Sequence, residues 1–322
     1  MAGLIRLQWR PFGFVLPQPL ATAAGTVHQR RGWLLRAQGP QGALGWGEAA
    51  PLDGQLKPLA AAIEALGSAR PREALEADLA AGGLPPALAF ALGAALAELD
   101  GLPRRRWMAA PASARLLPAG PAALEALDRG GLAPVFKWKV AVLADSLERE
   151  LLEQLLQRLP AAAQLRLDAN GGWTRATATA WAERLGDEPR LQWLEQPLDP
   201  ADQAGLATLA ERVPVALDES LQRQPALRQS WLGWQVRRPS QEGDPRPLLA
   251  ALERGAARLM LSTAFETGIA RRWLEHLAAV QAEGPTPVAP GLAPGWQVPG
   301  GLASLDPEVV WSAAPITGDQ SR

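Results

Sequence analysis

The amino-acid sequence predicts an α/β protein in which a small α+β domain precedes a barrel of the (β/α)₈ type. From Pro111 onwards, short β-like runs alternate with amphipathic stretches of about 10–15 residues, a pattern typical of βα units around a parallel sheet. Polar residues recur at the carboxyl ends of these runs, where the sites of barrel proteins lie. No glycine-rich phosphate-binding turn follows the first run, which disfavours an open doubly wound sheet.

Eight such runs are the predicted barrel strands. They are Arg115–Leu117, Val135–Val140, Leu165–Asp168, Leu191–Glu195, Val215–Asp218, Trp234–Arg238, Arg258–Ser262 and Thr286–Ala289. The clearest helix lies between the second and third runs, where leucines from Leu147 to Leu159 share one face. The regular spacing of the runs supports a barrel more strongly than any single run does.

The first hundred residues differ in pattern and predict a separate α+β domain. The predicted strands there are Leu4–Trp9, Gly32–Ala37 and Leu44–Glu48. The predicted helices are Leu56–Ala69, Arg72–Leu79 and Ala87–Leu99. We therefore expect an α+β domain over residues 1–102, completed by about residues 300–322, and a barrel domain over residues 103–299.

Composition excludes several classes of protein. The chain has 322 residues, of which 48% are hydrophobic, so it is long and apolar enough to bury a core. With 32 basic and 33 acidic residues it offers no basic field for nucleic acid or an anionic membrane. The absence of cysteine excludes disulfides, thiolate nucleophiles and cysteine-ligated metals. Two histidines are too few for a cage of several imidazoles.

No targeting or membrane segment is predicted. The N-terminus lacks the apolar centre of a signal peptide. The uncharged stretch Leu79–Ala97 is long enough to suggest a membrane span, but Gly82-Gly83 and Pro85-Pro86 divide it. We expect a cytoplasmic protein whose partner is a small molecule.

Three acidic residues close successive predicted strands. Asp168, Glu195 and Asp218 end the third, fourth and fifth runs, so their carboxylates are expected to converge in the barrel mouth. Carboxylates at close range repel one another without a cation, and oxygen ligands suit a hard divalent ion. Mg²⁺ is the expected metal, with Mn²⁺ as an alternative. Acidic residues also end strands as helix N-caps, an alternative that explains one of them more readily than three.

Lysine is rare in this chain, since 29 of its 32 basic residues are arginine. Lys137 and Lys139 lie two residues apart on a predicted strand and therefore share its inward face. Mutual repulsion of two buried ammonium groups lowers the pKa of at least one, and the resulting neutral amine is a base that arginine cannot replace. The alternative is a solvated strand edge. A base beside a metal favours removal of the proton alpha to a carboxylate, with the metal stabilising the enediolate.

These residues resemble the enolase superfamily in its muconate-lactonising-like branch. The matching motifs are Lys137-Trp138-Lys139, Asp168-Ala169-Asn170, Glu195-Gln196-Pro197, Asp218-Glu219-Ser220 and the stretch Gly45–Leu52. They occur in the family's order and spacing and cover nearly the whole chain. The resemblance implies a modified TIM-type (β/α)₇β barrel with an α+β capping domain.

Within that branch the sequence resembles the o-succinylbenzoate synthases. Arg31-Gly32 and the stretch Ser262–Glu266 carry this finer resemblance. It implies a Mg²⁺-dependent syn-dehydration of the carboxylate 2-succinyl-6-hydroxy-2,4-cyclohexadiene-1-carboxylate to o-succinylbenzoate, in menaquinone or phylloquinone biosynthesis. It also implies that His28, in the predicted loop after the first strand, lies near the substrate. An ordinary solvent-facing histidine is the alternative.

The resemblance assigns roles to the clustered residues. Lys139 is expected to remove the alpha proton and then, as the acid, to assist hydroxide departure from the same face. Lys137 is expected to favour the neutral form of Lys139 and to help hold the substrate carboxylate. Asp168, Glu195 and Asp218 are the implied metal ligands.

Further residues of the matching motifs have supporting roles by the same resemblance. Asn170 and Glu219 are expected to lie behind the metal ligands. Ser262, Thr263 and Pro239 are expected to contact substrate, with the first two near its succinyl chain.

One position departs from the family's pattern. The residue before the proline that follows the sixth strand is usually lysine, and here it is Arg238. Since arginine is not a base, a two-base racemase is disfavoured, whereas an elimination with one base is allowed. Arg238 is expected to stabilise the enediolate by charge and by cation–π attraction. The alternatives are a shift by one residue that places Arg237 in the site, and drift from lysine with impaired activity.

Two other functions remain open on the sequence. One is an N-succinylamino-acid racemase or dipeptide epimerase of the same superfamily. The other is a non-catalytic barrel that binds an aromatic carboxylate.

Overall fold

The fold has two sheets, one antiparallel and one parallel. The computed structural model describes residues 3–22, 25–102, 106–129, 133–296 and 298–314. The antiparallel sheet has four strands in the order β3-β2-β1-β4, and the parallel sheet has seven, β5 to β11, in chain order from edge to edge. A mixed α/β fold is therefore confirmed.

The antiparallel sheet is formed by the first part of the chain. Its strands are β1 (Leu4–Thr22), β2 (Gly25–Gln38), β3 (Leu44–Ala49) and β4 (Ala69–Pro71). The helices of this part are α1 (Leu56–Leu66), α2 (Arg72–Ala81) and α3 (Pro86–Leu99). The prediction of a loop around His28 was wrong, because the pairing of β2 with β1 continues beyond it as far as Gly25. His28 is exposed on β2.

Two glycines in β3 allow this strand to lie directly on helix α3. A Cβ atom at Gly45 would lie 2.0 Å from the Ala95 carbonyl oxygen, and one at Gly47 would lie 2.1 Å from that of Ala91. Successive residues of a strand face opposite sides, so the two glycines meet the helix while the residues after each of them face away. The Gly-Trp-Gly-Glu pattern is thus a consequence of backbone contact on one face of β3.

The parallel sheet and its helices form the second part of the structure. Its strands are β5 (Arg115–Leu117), β6 (Val135–Lys139), β7 (Gln164–Asp168), β8 (Leu191–Glu195), β9 (Val215–Leu217), β10 (Trp234–Arg237) and β11 (Leu259–Leu261). Its helices are α4 (Ala122–Arg129), α5 (Asp145–Arg158), α6 (Arg175–Leu185), α7 (Gln203–Ala210), α8 (Glu219–Arg223), α9 (Leu227–Ser230), α10 (Arg246–Glu253) and α11 (Gly268–Ala282), and α12 (Pro307–Ala313) follows.

Seven of the eight predicted runs are strands, and the eighth, Thr286–Ala289, is not. Pro287 and Pro290 lack the N–H groups that a continuous ladder requires, so only isolated backbone bonds form here. Gly291 donates to the Leu261 carbonyl at 2.8 Å, and its own carbonyl accepts from Thr263 at 3.0 Å. On the other side, Ala114 donates to the Pro290 carbonyl at 2.9 Å. Residues 290 and 291 therefore bond to the end of the edge strand β11 and to the residue before the other edge strand, β5.

Helix α3 lies between the two sheets, which explains its apolar sequence. One side contacts β3, and Phe90, Ala94 and Ala97 pack in a cluster with α10 and α11. A helix that is buried on opposite sides needs no polar face. Within the described residues, no helix is long and apolar enough to cross a membrane.

Chain beyond the parallel sheet packs back on the antiparallel sheet. Trp311 of α12 meets the Trp46 ring edge-on with centroids 5.8 Å apart, and its carbonyl accepts from the Arg10 guanidinium at 2.8 Å. The predicted boundary between residues 102 and 103 touches residues 103–105, and the predicted completion over residues 300–322 includes 315–322. Both of these segments lie outside the described residues.

The contact between β3 and α3 predicts the effect of adding one methyl group. We expect Gly47→Ala to lower the free energy of unfolding by about 3 kcal/mol, because the new Cβ atom meets a helix backbone carbonyl that cannot turn away. Urea denaturation measures the change. Gly83→Ala is the control, since nothing lies within 4 Å of its Cβ position. Equal stability of the two variants would contradict this account of the glycine pattern.

Candidate active site

Three of the predicted site residues stand in one row across the parallel sheet. Lys139 on β6 is paired in register with Asp168 on β7, and Asp168 is paired with Glu195 on β8. Each is the last residue of its strand. Asp218 follows the last residue of β9, the next strand of the sheet. The parallel arrangement thus brings these residues to one edge of the sheet.

The carboxylates of this row are buried and partly neutralised by Lys137. The exposed fraction is 6% for Asp168, 0% for Glu195 and 2% for Asp218. The Lys137 Nζ atom lies 2.8 Å from Asp168 Oδ2 and 2.5 Å from Glu195 Oε1. Its ammonium group therefore lies between two of the proposed metal ligands.

The pKa of Lys137 is shifted upwards, opposite to the direction that repulsion between two buried ammonium groups gives. Burial alone would lower the pKa of this ammonium, but the carboxylates of Asp168 and Glu195 raise it above the ordinary value. Lys137 is thus a fixed positive charge. The sequence predicts a lowered pKa for at least one lysine of the pair, and Lys137 is not that lysine, because two carboxylates bind its ammonium.

The Glu195 carboxyl experiences the opposing effects of its neighbours. Burial raises its pKa above the ordinary value, Lys137 lowers it, and the charges of Asp168 and Asp218 raise it again. The three carboxylates are thus close enough for the charges of Asp168 and Asp218 to affect the pKa of Glu195, as their positions at the ends of adjacent strands predict.

Arg238 binds Asp218 through two nitrogen atoms. Its Nε donates to Asp218 Oδ1 at 2.9 Å, and its Nη2 donates to Oδ2. Its Nη1 donates to the Thr263 carbonyl at 2.6 Å. Burial would lower the pKa of the guanidinium, but the Asp218 charge and hydrogen bonds raise it further above its ordinary value. All three ends of the guanidinium are thus engaged.

Arg237 faces a different partner. Its Nε and Nη2 atoms bind Glu242 Oε2, at 2.7 and 2.6 Å. Of the two consecutive arginines, the structure therefore brings Arg238, and not Arg237, to the carboxylates.

Lys139 differs from Lys137 and Arg238 because it forms no ion pair with the described residues. Its side chain is half-buried, and it makes no hydrogen bond or ion pair with any residue that the structure describes. Trp138, between the lysines, is fully buried in the core cluster that includes Leu151 and Leu155 of α5. Strand alternation thus turns Trp138 towards the helices and the two lysines towards the other face.

Asn170 and Glu219 lie behind the carboxylate row. The Asn170 side-chain amide donates to Glu219 Oε1 at 3.0 Å, and its backbone N–H donates to Asp168 Oδ1 at 3.1 Å. Burial raises the pKa of Glu219 to about 8, and the charges of Asp218 and Asp168 contribute. Asn170 Oδ1 and Glu219 Oε2 are buried without a hydrogen-bond partner in the described part of the chain.

The predicted substrate contacts lie at the ends of β10 and β11. Ser262 and Thr263 directly follow β11 and are nearly buried, and Pro239 begins the turn after Arg238. The Thr263 hydroxyl donates to Glu266 Oε2 at 2.5 Å, and the Ser262 hydroxyl lies 3.4 Å from the Gly291 carbonyl. The Thr263 hydroxyl is thus committed to a carboxylate of its own loop.

Sequence reasoning missed two residues that support the row. Gln196 is fully buried, accepts from the backbone of Asp218 and Ser220, and donates to Ser220 Oγ at 2.8 Å. Glu148 is buried and accepts from three backbone N–H groups of residues 141–143, just after Lys139. The Glu-Gln-Pro motif contained the signal for Gln196, whereas a glutamate within a helix carries none.

The residues present fit a divalent cation. In the part of the chain that the structure describes, no three His, Cys, Asp or Glu side chains form a ready-made metal cluster. Lys137 and Arg238 instead form ion pairs with the carboxylates. The three carboxylates nevertheless carry one more negative charge than these two cations, and the donor atoms are oxygens, as Mg²⁺ prefers. The unpartnered oxygens of Asn170 and Glu219 add buried polar atoms nearby.

Comparisons with known proteins identify the family. Residues 121–231 match the enolase C-terminal domain-like family. The chain is 38% identical over 293 residues to an o-succinylbenzoate synthase of Thermosynechococcus vestitus, covering 85% of this chain and 88% of that protein. The chain belongs to the o-succinylbenzoate synthase family of the enolase superfamily. A second relative in this family, from Pectobacterium atrosepticum, is 34% identical over 60% of this chain and 59% of its own length.

Solved structures agree with this family and with the wider fold. The o-succinylbenzoate synthase of Thermosynechococcus elongatus BP-1, complexed with Mg in its active site, is 34% identical with a TM-score of 0.79. The match covers 95% of this chain and 99% of that one. The dipeptide epimerase of Enterococcus faecalis is 19% identical with a TM-score of 0.71, over 89% of this chain and 90% of that one. The second likeness concerns the fold alone.

In this member of the o-succinylbenzoate synthase family, a buried glutamate connects β3 of the antiparallel sheet to the start of helix α11. Glu48 of β3 accepts from the Thr267 hydroxyl at 2.5 Å and from the Thr267 backbone N–H at 3.0 Å, just before helix α11. Glu266, the residue before, accepts from Ser240 as well as Thr263. Burial raises the pKa of Glu48 to about 8, and the Glu266 charge adds to this, while Thr267 and Arg30 oppose it.

This raised pKa predicts how stability varies with pH. The folded state holds a proton on Glu48 up to about pH 8, whereas the unfolded chain loses it near the ordinary value of 4.5. Stability from this group is therefore fully present below that ordinary value and is lost as the pH rises through the folded pKa. At about 1.4 kcal/mol per pKa unit, the loss is on the order of a few kcal/mol.

We expect Glu48→Gln to flatten the dependence of the unfolding free energy on pH between about 4.5 and 8. Urea denaturation across that range measures it. Glu64→Gln, on the exposed surface of α1, is the matched control and should leave the dependence unchanged. Parallel curves for wild type and Glu48→Gln would show that the folded pKa is not raised.

Proposed function

We propose that this protein is an o-succinylbenzoate synthase. The reaction is the Mg²⁺-dependent syn-dehydration of 2-succinyl-6-hydroxy-2,4-cyclohexadiene-1-carboxylate to o-succinylbenzoate, a step of menaquinone or phylloquinone biosynthesis. The observation that carries the proposal is the row of Lys139, Asp168 and Glu195 on three adjacent strands. It puts a lysine without an ion pair next to buried carboxylate oxygens, in a chain that belongs to this family.

Asp168, Glu195 and Asp218 are the proposed holders of the metal. Bound there, Mg²⁺ would supply positive charge that stabilises the substrate carboxylate as it takes up electron density during loss of the alpha proton. Asn170 holds Asp168 and Glu219 by hydrogen bonds, and Gln196 holds the backbone of Asp218. The backbone N–H of Asn170 and the two side-chain amides thus keep these residues in place without neutralising the carboxylates.

Lys139 is the proposed base and acid. As a neutral amine, it takes the proton from the carbon alpha to the carboxylate; as an ammonium, it gives that proton to the departing hydroxide, which leaves as water. The ring gains a double bond and becomes aromatic, so protons and electrons balance without a redox partner. One group on one face is sufficient for a syn-elimination. Its lack of an ion pair leaves the Lys139 amine available, as a base must be.

Lys137 and Arg238 supply fixed positive charge on either side of the carboxylate row. The Lys137 ammonium lies on the same strand face as Lys139 and is proposed to help hold the substrate carboxylate. The Arg238 guanidinium is engaged at three nitrogens and remains charged, so it stabilises negative charge and is unsuited to take a second proton. This favours elimination over a racemase or epimerase reaction that needs bases on both faces.

The finer architecture belongs to the same proposal. We propose a modified TIM-type (β/α)₇β barrel over residues 103–299, with a capping domain over residues 1–102 that is completed by about residues 300–322. The backbone bonds of Gly291 to the end of β11 and of Pro290 to the residue before β5 support closure of the ring. The packing of Trp311 on Trp46 supports the C-terminal completion. Ser262, Thr263 and Pro239 are the proposed substrate contacts at the mouth.

Dehydration followed by absorbance tests the reaction and the base together. The wild-type protein with Mg²⁺ should convert the hydroxydiene carboxylate to o-succinylbenzoate, and EDTA should abolish the conversion. Lys139→Arg should lose at least about 99% of the rate with an unchanged circular dichroism spectrum, since arginine stays protonated.

A wild type without turnover would favour a non-catalytic barrel, and residual activity in Lys139→Arg above about 1% would mean that another base acts. Deuterium exchange into both enantiomers of an N-succinylamino acid would instead favour a racemase.

The fork between Arg238 and Asp218 predicts a graded response to substitution. Arg238→Lys keeps the charge but loses the bidentate contact and the bond to the Thr263 carbonyl, so kcat/KM should fall by about tenfold or less. Arg238→Met removes the positive charge together with the bonds to Asp218 and to the Thr263 carbonyl, and it should cost about 100-fold or more. Arg237→Lys, whose side chain binds Glu242, is the control. Equal losses in the Lys and Met variants would show that the charge of Arg238 has no role.

A further inference from the structure

A buried indole lies against one of the proposed metal ligands. Trp193 is two residues before Glu195 on β8, so both side chains lie on the same face of the strand. The Trp193 Nε1 atom donates to Glu195 Oε2 at 3.3 Å. Both residues have an exposed fraction of 0%. The other carboxylate oxygen, Oε1, is the one that faces Lys137 and, across it, Asp168.

We infer that Trp193 is a positioning residue that holds the Glu195 carboxylate in the orientation in which it binds the divalent cation. The inference rests on the proposed function, because it concerns a proposed ligand. A hydrogen bond to Oε2 fixes the rotation of the carboxylate plane and turns Oε1 towards Asp168. Groups that orient a metal ligand commonly have a large effect on affinity for the metal.

The chemistry of the indole suits this role. A tryptophan N–H donates only and carries no charge. It therefore orients the carboxylate at Oε2 without adding to the positive charge that Lys137 already places at Oε1. A second ammonium or a guanidinium at Oε2 would neutralise the carboxylate further and compete with the metal.

The indole is itself fixed by its neighbours. The Arg166 guanidinium carbon lies 4.1 Å from the centre of the Trp193 ring, and the Trp234 ring packs on it with centroids 4.9 Å apart. Arg166 is held in turn by Gln192 at 2.6 Å and by the Ala289 carbonyl at 2.7 Å. The Trp193 ring thus has little freedom to turn its N–H away from Glu195.

Trp138 provides a matched control within the same sheet. It is as fully buried as Trp193, and it lies on β6, which is separated from β8 only by β7. Its indole N–H has no hydrogen-bond partner among the described residues, and its ring packs in the helix-side core. Replacing either tryptophan with phenylalanine removes the same atoms from an equally buried place, but only Trp193→Phe removes a bond to a proposed ligand.

The test is the binding of Mn²⁺ to the full-length chain, measured from the electron paramagnetic resonance signal of free Mn²⁺. We expect Trp193→Phe to weaken binding about tenfold relative to wild type, and Trp138→Phe to change it less than twofold. With saturating metal, Trp193→Phe should regain most of the wild-type kcat, because the defect is in affinity for the metal. A merely structural role for Trp193 would not respond to metal concentration.

The outcomes separate this inference from the proposed function. A wild type that does not bind Mn²⁺ would overturn both. A wild type that binds Mn²⁺, with equal affinities in the two phenylalanine variants, would overturn the role of Trp193 alone. If Trp193→Phe fails to fold, as judged by circular dichroism, Trp193→Met removes the same donor without adding one, and wild-type affinity in that variant would also overturn the inference.

Discussion

The accumulation of negative charge at one edge of the parallel sheet is the constraint on which the rest of the site depends. Asp168, Glu195 and Asp218 come from neighbouring strand ends and are buried, and the half-buried Glu219 follows Asp218 at the start of α8. Carboxylates removed from water at this density are unstable without protons or cations. The raised pKa of Glu219 favours its protonated form, and the ion pairs of Lys137 and Arg238 supply cations to the other carboxylates.

The basic residues of the site divide into fixed and free groups. Lys137 lies between two carboxylates and Arg238 binds a third through two nitrogens, so both remain charged. Lys139, on the same strand face as Lys137, makes no ion pair with the described residues. The same ion pairs that stabilise the buried carboxylates thus leave one amine available for proton transfer. A chain in which 29 of 32 basic residues are arginine has a lysine at this position, and an amine, unlike a guanidinium, can act as a base.

The antiparallel sheet is coupled to the site by direct contacts. Helix α3 packs on β3 at one side and on α10 and α11 at the other, with Gly45 and Gly47 allowing the close approach. On the other face of β3, Glu48 binds the residue that precedes α11. Displacement of β3 would therefore strain the loop that contains Thr263 and Glu266. In this loop the Thr263 carbonyl binds Arg238, and the Glu266 carboxylate binds the Ser240 hydroxyl.

The sequence by itself determined the seven strands of the parallel sheet, the shared face of Lys137 and Lys139 and the edge at which the acidic residues meet. These features follow from local periodicity and from the geometry of parallel strands. The tertiary structure alone decided which charges pair. Sequence spacing gives no sign that Lys137 lies between Asp168 and Glu195, that Arg238 grips Asp218, or that Trp193 donates to Glu195, since each contact joins flexible side chains or depends on how they are buried. The tertiary structure also showed that the eighth predicted strand does not form. Its prolines lack the N–H donors that a ladder needs.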